Sequence, residues 1–209
     1  VVKGFQDPDI GSLNSDSPTM TRDSRMLLLQ TVSSMKWTVQ IFDITTAFLR
    51  GKSDDRELAM EAPRELRDLM GMGPEHVCLL KGNAYGRVDA PLLFYKEFRK
   101  RLENVGFTAH PLDSCLFLLR NKNNPQQLDG ILGTHVDDGI GGGSQNFEKA
   151  LEQLQKTLPF GTREFRKFKF TGLDIEQLPD HSIRVNQSRY VHKINPINIP
   201  KIRRARSEE

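Results

Sequence analysis

The segment at residues 130–144, GILGTHVDDGIGGGS, constrains the fold of this chain more than any other segment. An apolar run leads into two adjacent aspartates, Asp137 and Asp138, and a second short run follows them. The pattern predicts two strands joined by a tight turn, with both carboxylates at its tip. Because Asp-Gly is also a common hairpin turn, this segment alone leaves a purely structural role open.

A second segment, VQIFDITTAFLRG at residues 39–51, predicts a strand ending at Asp43 and a short apolar helix over 45–49. Asp43 also has an ordinary explanation, since Asp is a frequent helix N-cap. If three carboxylates converge at one end of a sheet, their repulsion is costly unless divalent cations neutralise it. Mg²⁺ prefers such oxygen ligands, and paired metal ions can hold both oxygens of a phosphoryl displacement.

The hydrophobic periodicity predicts an α+β fold. Helices are predicted over 22–37, 63–71, 89–106, 145–158 and 188–194, and strands over 39–43, 56–62, 76–80, 115–119, 130–136, 167–177 and 182–187. Because helices and strands do not alternate regularly, we expect a mainly antiparallel sheet packed with helices. The apolar stripe of the first helix is predicted at residues 26, 27, 29, 32 and 35, and the glycines 141–143 are predicted to permit a sharp exit from their strand.

Charge is distributed unevenly along the 209 residues, whose net charge is only +3. Residues 163–209 carry 11 basic and 6 acidic residues, whereas the preceding part has a net charge of −2. The basic part contains RKFKF at 166–170 and KIRRAR at 201–206. Basic residues can neutralise phosphates and aromatic rings can stack on bases, but a strand with alternating buried Phe explains RKFKF equally well. Whether KIRRAR acts as a nuclear localisation signal is left open.

Several functional classes are disfavoured by the sequence. No apolar run is long enough for a transmembrane helix. The glycine run lacks the GK[ST] sequence of a P-loop. Cys78, Cys115 and the five histidines have no zinc-site spacing, and two reduced thiols fit a reducing compartment.

Six blocks of the chain, in order, resemble the reverse transcriptases of copia-type long-terminal-repeat retrotransposons; they lie at 1–5, 17–30, 42–51, 81–98, 134–140 and 170–177. The resemblance implies a palm-and-fingers polymerase fold and DNA synthesis from deoxynucleoside triphosphates on an RNA or DNA template-primer. It also implies a partition into fingers-like parts (1–38 and 52–88), a palm (39–51 and 89–178) and the start of a thumb or a basic tail (179–209). An intracellular location is expected, in a cytoplasmic virus-like particle or the nucleus, without membrane association and with the other Pol domains absent from this chain.

The same resemblance assigns catalytic residues. Asp43, Asp137 and Asp138 match the family's three catalytic carboxylates, which hold Mg²⁺ or Mn²⁺. Asp43 and Asp137 would hold the metals most directly, and Asp138 would support the site. One metal ion would lower the pKa of the primer 3′-hydroxyl, and the other would hold the triphosphate.

It also assigns substrate-binding residues. Phe48 resembles the aromatic gate that excludes a ribose 2′-hydroxyl, although a plain core role is open. Lys3 and Arg25 are candidates for holding the triphosphate, with solvated surface charges as the alternative. Tyr85 lies in the block that resembles the nucleotide pocket.

The sequence departs from the family pattern at informative positions. His135 stands where Tyr usually precedes Val-Asp-Asp. Val88, Asp89 and Leu92 replace the usual Lys, Gln and Arg of the YGLkQaPr block, so two basic groups are lost. We therefore expect a fragment or a decayed copy, and leave open whether catalysis is retained. The alternatives are a catalytically inactive nucleic-acid-binding remnant and a metal-dependent phosphohydrolase that uses His135.

Overall fold

The computed structural model describes residues 2–50 and 56–195. Five α-helices lie in this part of the chain: α1 Arg22–Ser34, α2 Arg64–Met70, α3 Ala90–Asn104, α4 Gln145–Thr157 and α5 Ser188–Val191. The strands are β1 Gln40–Ile44, β2 Leu58–Glu61, β3 Val77–Leu80, β4 Phe107–His110, β5 Asp113–Arg120, β6 Leu128–His135, β7 Asp138–Gly143, β8 Phe160–Phe165, β9 Lys167–Phe170, β10 Leu173–Gln177 and β11 Ile183–Asn186. Two 3-10 helices cover Gly4–Gln6 and Ala47–Arg50. The basic segment 201–206 lies outside the described residues.

The central sheet has six strands in the order β4-β5-β6-β7-β1-β8. Every neighbouring pair in it is antiparallel. A three-stranded sheet has the order β11-β10-β9, and β2 pairs with β3. The predicted α+β class with a mainly antiparallel sheet is thereby confirmed.

The central sheet is covered on both faces. On one face, α3 and α4 bury Phe94, Phe98 and Phe147 against Phe42 and Leu132 of the sheet. On the other face, α1 and the three-stranded sheet form a second apolar cluster, listed by its main members as Leu28, Leu29, Val32, Ile131, Ile140, Phe168, Phe170 and Ile175. This sandwich fixes the neighbouring strands β1 and β7, on which acidic residues lie.

Helix α1 is present as predicted, and its buried face matches the predicted stripe only in part, at Leu29 and Val32. Leu28, Leu29 and Val32 are buried, whereas Leu27 and Met35 are 54% and 47% exposed. The difference arises because the helix approaches the sheet closely at two glycines. Side-chain atoms of Leu28 and Val32 lie 3.1 Å and 3.0 Å from where a Cβ would stand on Gly133 and Gly142. The helix therefore turns these residues inward.

The glycine run does not form an exit from a strand, so that prediction was wrong. Gly141, Gly142 and Gly143 lie inside β7. A Cβ on Gly141 would lie 2.4 Å from the carbonyl oxygen of Ile131, and one on Gly143 would lie 2.5 Å from that of Asp129. Close packing, rather than a turn, therefore explains these glycines.

Two strands at the edges of the central sheet, β4 and β8, were not predicted from the sequence. The RKFKF segment does form an alternating strand, since Phe168 and Phe170 are buried while Lys167 and Lys169 are exposed. A hairpin joins β10 and β11. Nucleic-acid contact by the RKFKF lysines stays a prediction.

Candidate functional site

The three aspartates singled out from the sequence meet at one end of the central sheet. Asp43 in β1 is the direct antiparallel partner of Asp138 in β7. Directly opposed residues project from the same face of a sheet, so both carboxylates lie on the face covered by α1. Asp137 occupies the turn between β6 and β7, and its carbonyl oxygen accepts a 3.0 Å hydrogen bond from the Ile44 amide. The three residues are called the carboxylate cluster below.

The turn that carries Asp137 is tight. His135 pairs directly with Asp138, which leaves Val136 and Asp137 as the two loop residues. Val136 has a φ of +58°, a left-handed conformation that costs an L-residue roughly 1–2 kcal/mol. The predicted hairpin with carboxylates at its tip is confirmed, and its backbone is strained where the acidic residues begin.

The electrostatics of the cluster follow from its crowding. The pKa of Asp138 is raised to about 6, chiefly by burial and then by the charges of Asp137 and Asp43. Because three neighbouring carboxylates repel one another, binding of a proton or of a divalent cation is favoured there. Their oxygens match the hard ligands that Mg²⁺ prefers, so the donor set fits the expected ion.

The cluster is not preassembled as a ligand set. Within residues 2–50 and 56–195, no group of three or more His, Cys, Asp and Glu side chains is arranged to hold a metal ion. Asp43 is engaged by β8 instead, because the backbone N–H and the hydroxyl of Thr162 both donate to its Oδ1. A Cβ on Gly161 would lie 2.5 Å from Oδ2 of the same carboxylate. Metal coordination would therefore require side-chain adjustment.

His135 borders the cluster. It pairs with Asp138 across the hairpin, and its ring stands edge-on to Phe170 with 6.2 Å between centroids. Thr19 forms an isolated bridge with it. The ring thus links the end of β6 to the β9–β10 hairpin.

Phe48 lies on the 3-10 helix that follows β1, and it is half-buried. Its ring packs edge-on against Tyr85 at 5.2 Å and Phe94 at 6.2 Å between centroids. Tyr85 is 41% exposed, so this aromatic pair extends from the core to the surface. The family resemblance assigned Phe48 and Tyr85 to substrate binding, which stays a prediction, and the structure brings the two rings into contact.

Lys3 and Arg25 occupy different surroundings. Lys3 is exposed and lines a cavity of about 480 Å³ together with Met60, Leu80 and Arg87. Arg25 lies on α1, where its guanidinium donates to the hydroxyl of Thr171 at the β9–β10 turn. Burial, and secondarily Arg22, lower the pKa of Arg25. Binding of the triphosphate by Lys3 and Arg25 stays a prediction. Arg25 also has a structural partner in Thr171.

The departures in the YGRVDAP block are coupled in space. Arg87 donates to both carboxylate oxygens of Asp89, at 2.9 Å and 2.7 Å, and both side chains are almost fully buried. Arg56 adds an ion pair with Asp89 at 3.1 Å and contacts Asp7 of the N-terminal segment at 3.4 Å. Asp89 precedes α3 without a capping hydrogen bond from its side chain, because these arginines engage it.

Sequence reasoning missed Thr162 and Gly161 as neighbours of Asp43. They lie on β8, whose residues are mostly exposed and show no apolar alternation that predicts a strand. Only the pairing of β1 with β8 brings them to the site.

The described helices include none that is both long and apolar enough to cross a bilayer.

Comparison with known proteins shows the family to which the chain belongs. Residues 1–200 match the family model described as "Reverse transcriptase (RNA-dependent DNA polymerase)". The chain is 28% identical over 91% of its length to the Retrovirus-related Pol polyprotein from transposon RE1 of Arabidopsis thaliana, and equally to that from transposon RE2. It is 31% identical over 66% of its length to the polyprotein from transposon TNT 1-94 of Nicotiana tabacum.

The chain spans only 13% of the length of the RE1 and RE2 polyproteins and 10% of the TNT 1-94 polyprotein. These comparisons confirm the resemblance drawn from the six sequence blocks. The chain belongs to the reverse transcriptase (RNA-dependent DNA polymerase) family, as a domain similar to that of copia-type Pol polyproteins.

Proposed function

We propose that this chain is the core of an RNA- or DNA-templated DNA polymerase that adds deoxynucleotides to a primer by two-metal nucleotidyl transfer. The observation that carries the proposal is the direct pairing of Asp43 with Asp138 beside the Asp137 turn. It is supported by the raised pKa of Asp138, to which both other carboxylates contribute after burial. Membership of the reverse transcriptase family supports the same reaction.

In this proposal Asp43 and Asp137 hold Mg²⁺ or Mn²⁺, and Asp138 supports them. Bound metal ions would supply Lewis-acid stabilisation of the triphosphate charge and a lowered pKa of the primer 3′-hydroxyl. The chain's own contribution is to place the carboxylates on adjacent strands whose positions are fixed by packing on both faces of the sheet. The partly buried setting of Asp138 strengthens electrostatic interactions there.

The proposed partition assigns the six-stranded sheet with α3 and α4 to the palm. Residues 1–38, which include α1, and residues 52–88, which include β2, α2 and β3, belong to the fingers-like part. Residues from 179 onward belong to the start of a thumb or a basic tail. Phe48 and Tyr85 are proposed to line the nucleotide sugar, supported by their mutual contact. The template-primer and deoxynucleoside triphosphates are the proposed substrates, in an intracellular setting.

Primer extension on a homopolymer RNA template with Mg²⁺ or Mn²⁺ tests the proposal. Asp137→Asn keeps the side-chain shape but removes the charge, and it should reduce incorporation by at least 100-fold, in keeping with the contribution of a metal ion to such chemistry. Asp68→Asn, on exposed helix α2, is the matched control and should retain full activity. Undiminished incorporation by the Asp137→Asn protein would contradict the three-carboxylate assignment.

A second candidate is a catalytically inactive nucleic-acid-binding remnant. It is favoured by the buried ion pair of Arg87 with Asp89. These two residues stand where the copia-type YGLkQaPr block has Leu and Gln, and their charges neutralise each other. This candidate predicts that a labelled template-primer binds with a steep salt dependence while no nucleotide is incorporated with either metal. Binding measured by fluorescence anisotropy between 50 mM and 200 mM salt, alongside the extension assay, separates the two functions.

A further inference from the structure

We propose that Arg56 is a positioning residue for the incoming nucleotide, because it fastens the N-terminal residues 2–9 to the turn that carries Tyr85. The inference rests on the proposed function, which places Tyr85 and Phe48 beside the nucleotide sugar. Arg56 lies outside the six blocks that resemble copia-type reverse transcriptases. Residues 2–9 are called the N-terminal strap below.

Apolar burial does not hold the N-terminal strap in place. Among residues 2–9 only Gly4 is buried, and Phe5 is 73% exposed. Strap residues share the lining of the cavity of about 480 Å³ with Leu58 and Met60 of β2, so this part of the strap faces open space. Because hydrophobic stabilisation scales with the apolar area buried, polar contacts must decide where the strap lies.

Backbone hydrogen bonds join one end of the strap to the turn of Tyr85. The Val2 amide donates to the Tyr85 carbonyl at 2.8 Å, and the Gly4 amide donates to the Gly86 carbonyl at 2.9 Å. The two backbones approach so closely that a Cβ on Gly4 would collide with the Gly86 carbonyl oxygen. The backbone of Tyr85 is therefore fixed against the strap.

Arg56 closes the other end of this contact. Its guanidinium pairs with Asp7 of the strap at 3.4 Å and with Asp89, beyond the turn, at 3.1 Å. Asp7 and Asp89 each lie three residues after a glycine of the backbone contact. Their side chains are only 7% and 5% exposed, so salt screens these two ion pairs weakly. Asp9, which is 55% exposed, adds an outer ion pair at 3.2 Å.

The position of the Tyr85 ring depends on this fastening. The ring is 41% exposed and packs edge-on against Phe48, with 5.2 Å between centroids. A ring this exposed is fixed less by packing than by the backbone that carries it. Release of the strap should therefore move Tyr85 relative to Phe48, and a small misplacement of a substrate-binding group is costly. Arg56 acts through Asp89 and the strap, which makes it a positioning residue.

Hydrogen exchange measured by mass spectrometry tests the fastening without requiring activity. In Arg56→Gln, peptides covering residues 2–9 and 83–89 should exchange at least about 5-fold faster, the effect of losing a hydrogen bond to a charged group. Peptides from α4 and β6 are the internal reference and should exchange at the wild-type rate. Asp7→Asn should give the same pattern, and the double variant should add little, because both changes open one contact.

Single-nucleotide extension tests the positioning. Arg56→Gln should raise KM for the deoxynucleoside triphosphate by about 5- to 10-fold and leave kcat within about 2-fold, since it weakens binding rather than the chemical step. A loss of folded protein would instead lower the apparent kcat and leave KM unchanged. Arg56→Lys keeps the charge but lacks the planar fork that spans two carboxylates, so it should raise KM by only about 2- to 3-fold.

Matched controls come from the same chain. Arg64→Gln removes an exposed arginine from α2, where it pairs with Asp68. Asp16→Asn removes an exposed carboxylate from the N-terminal region that also contains Asp7. Both should leave the exchange of residues 2–9 and the KM unchanged. An effect of Arg64→Gln equal to that of Arg56→Gln would contradict a specific role of Arg56.

The outcomes separate this inference from the proposed function. If Arg56→Gln exchanges at the wild-type rate in both segments, the fastening is wrong. If exchange rises while KM stays unchanged, the positioning role is wrong and the polymerase assignment stands. If the wild-type chain extends no primer with Mg²⁺ or Mn²⁺, the proposed function fails, and the positioning of a nucleotide fails with it whatever the exchange rates.

Discussion

Asp43 and Asp138 stand directly opposite each other on neighbouring antiparallel strands. Like charges in such a position destabilise a sheet, and here they lie at the ends of strands that are packed on both faces. The raised pKa of Asp138 records this conflict, which burial dominates and the two neighbouring carboxylates increase. The ionised form of Asp138 therefore lowers the stability of the fold at neutral pH, while the three carboxylates together concentrate negative charge.

Asp138→Asn should stabilise the metal-free protein at neutral pH. The folded-state pKa of about 6 lies above the ordinary value of 3.8, so folding favours the protonated form. The contribution of Asp138 to stability is therefore fully present below about pH 4 and is lost as the pH rises through 6. We expect Asp138→Asn to gain about 1–3 kcal/mol at pH 7.5 and nothing near pH 4. Urea unfolding in EDTA across this range measures it.

Asp180→Asn is the control for that prediction. Hydrogen bonds from Ser182, the hydroxyl first, lower the pKa of Asp180, so its charged form is favoured by folding. The variant should show no gain at neutral pH. A pH-independent stabilisation by Asp138→Asn would show that ionisation of the Asp138 carboxylate is not its cause.

Phe48→Val should relax discrimination against ribonucleotides. The ring of Phe48 packs against Tyr85, and a smaller side chain would open space beside the proposed sugar position. We expect the ratio of ribonucleotide to deoxynucleotide incorporation to rise at least 10-fold, as a steric exclusion of about 1.4 kcal/mol or more requires. Single-nucleotide extension with each substrate measures the ratio.

The control for Phe48 is Phe98→Leu, which lies deeper in the same apolar cluster and stacks on Phe94. It should lower stability without changing nucleotide selectivity. If both variants shift selectivity equally, Phe48 acts only through core packing.

Asp89→Gln should destabilise the protein more than the double change Arg87→Leu with Asp89→Gln. The single change leaves the buried Arg87 guanidinium without its carboxylate, a loss of about 3–5 kcal/mol. The double change restores the residues usual in the copia-type block and removes both charges, so it should recover at least half of that loss. Urea unfolding of the two single variants and the double variant completes the cycle. Additive effects would contradict the coupling of the pair.

Gly143→Ala should destabilise the fold although it lies in a regular strand. Its Cβ would stand 2.3 Å from the Cβ of Phe147 on α4 and 2.5 Å from the carbonyl oxygen of Asp129. Forcing these apart should lower the free energy of unfolding by about 1–3 kcal/mol. Gly11→Ala, which meets nothing within 4 Å, should change it by less than about 0.5 kcal/mol. Thermal unfolding distinguishes the two, and equal effects would contradict the packing explanation.

The sequence by itself determined the elements whose signal is local. These elements are the Asp137–Asp138 hairpin, the strand of Asp43 and helix α3. Their signals are turn residues, β-branched runs and caps, all of which act within a few positions of the chain. The ordered blocks identified the reverse transcriptase family for the same reason, because they are contiguous in the chain. Periodicity also gave the α+β class, which depends only on the order of elements.

Only the tertiary structure decided which residues meet across the chain. Thr162 reaches Asp43 from 119 positions away, along an exposed edge strand with no apolar periodicity to predict it. Gly143 is required by Phe147 and Asp129 on neighbouring elements, and the buried face of α1 is set by glycines in the sheet. Such contacts depend on the distance and orientation of packed elements, which local propensity does not encode.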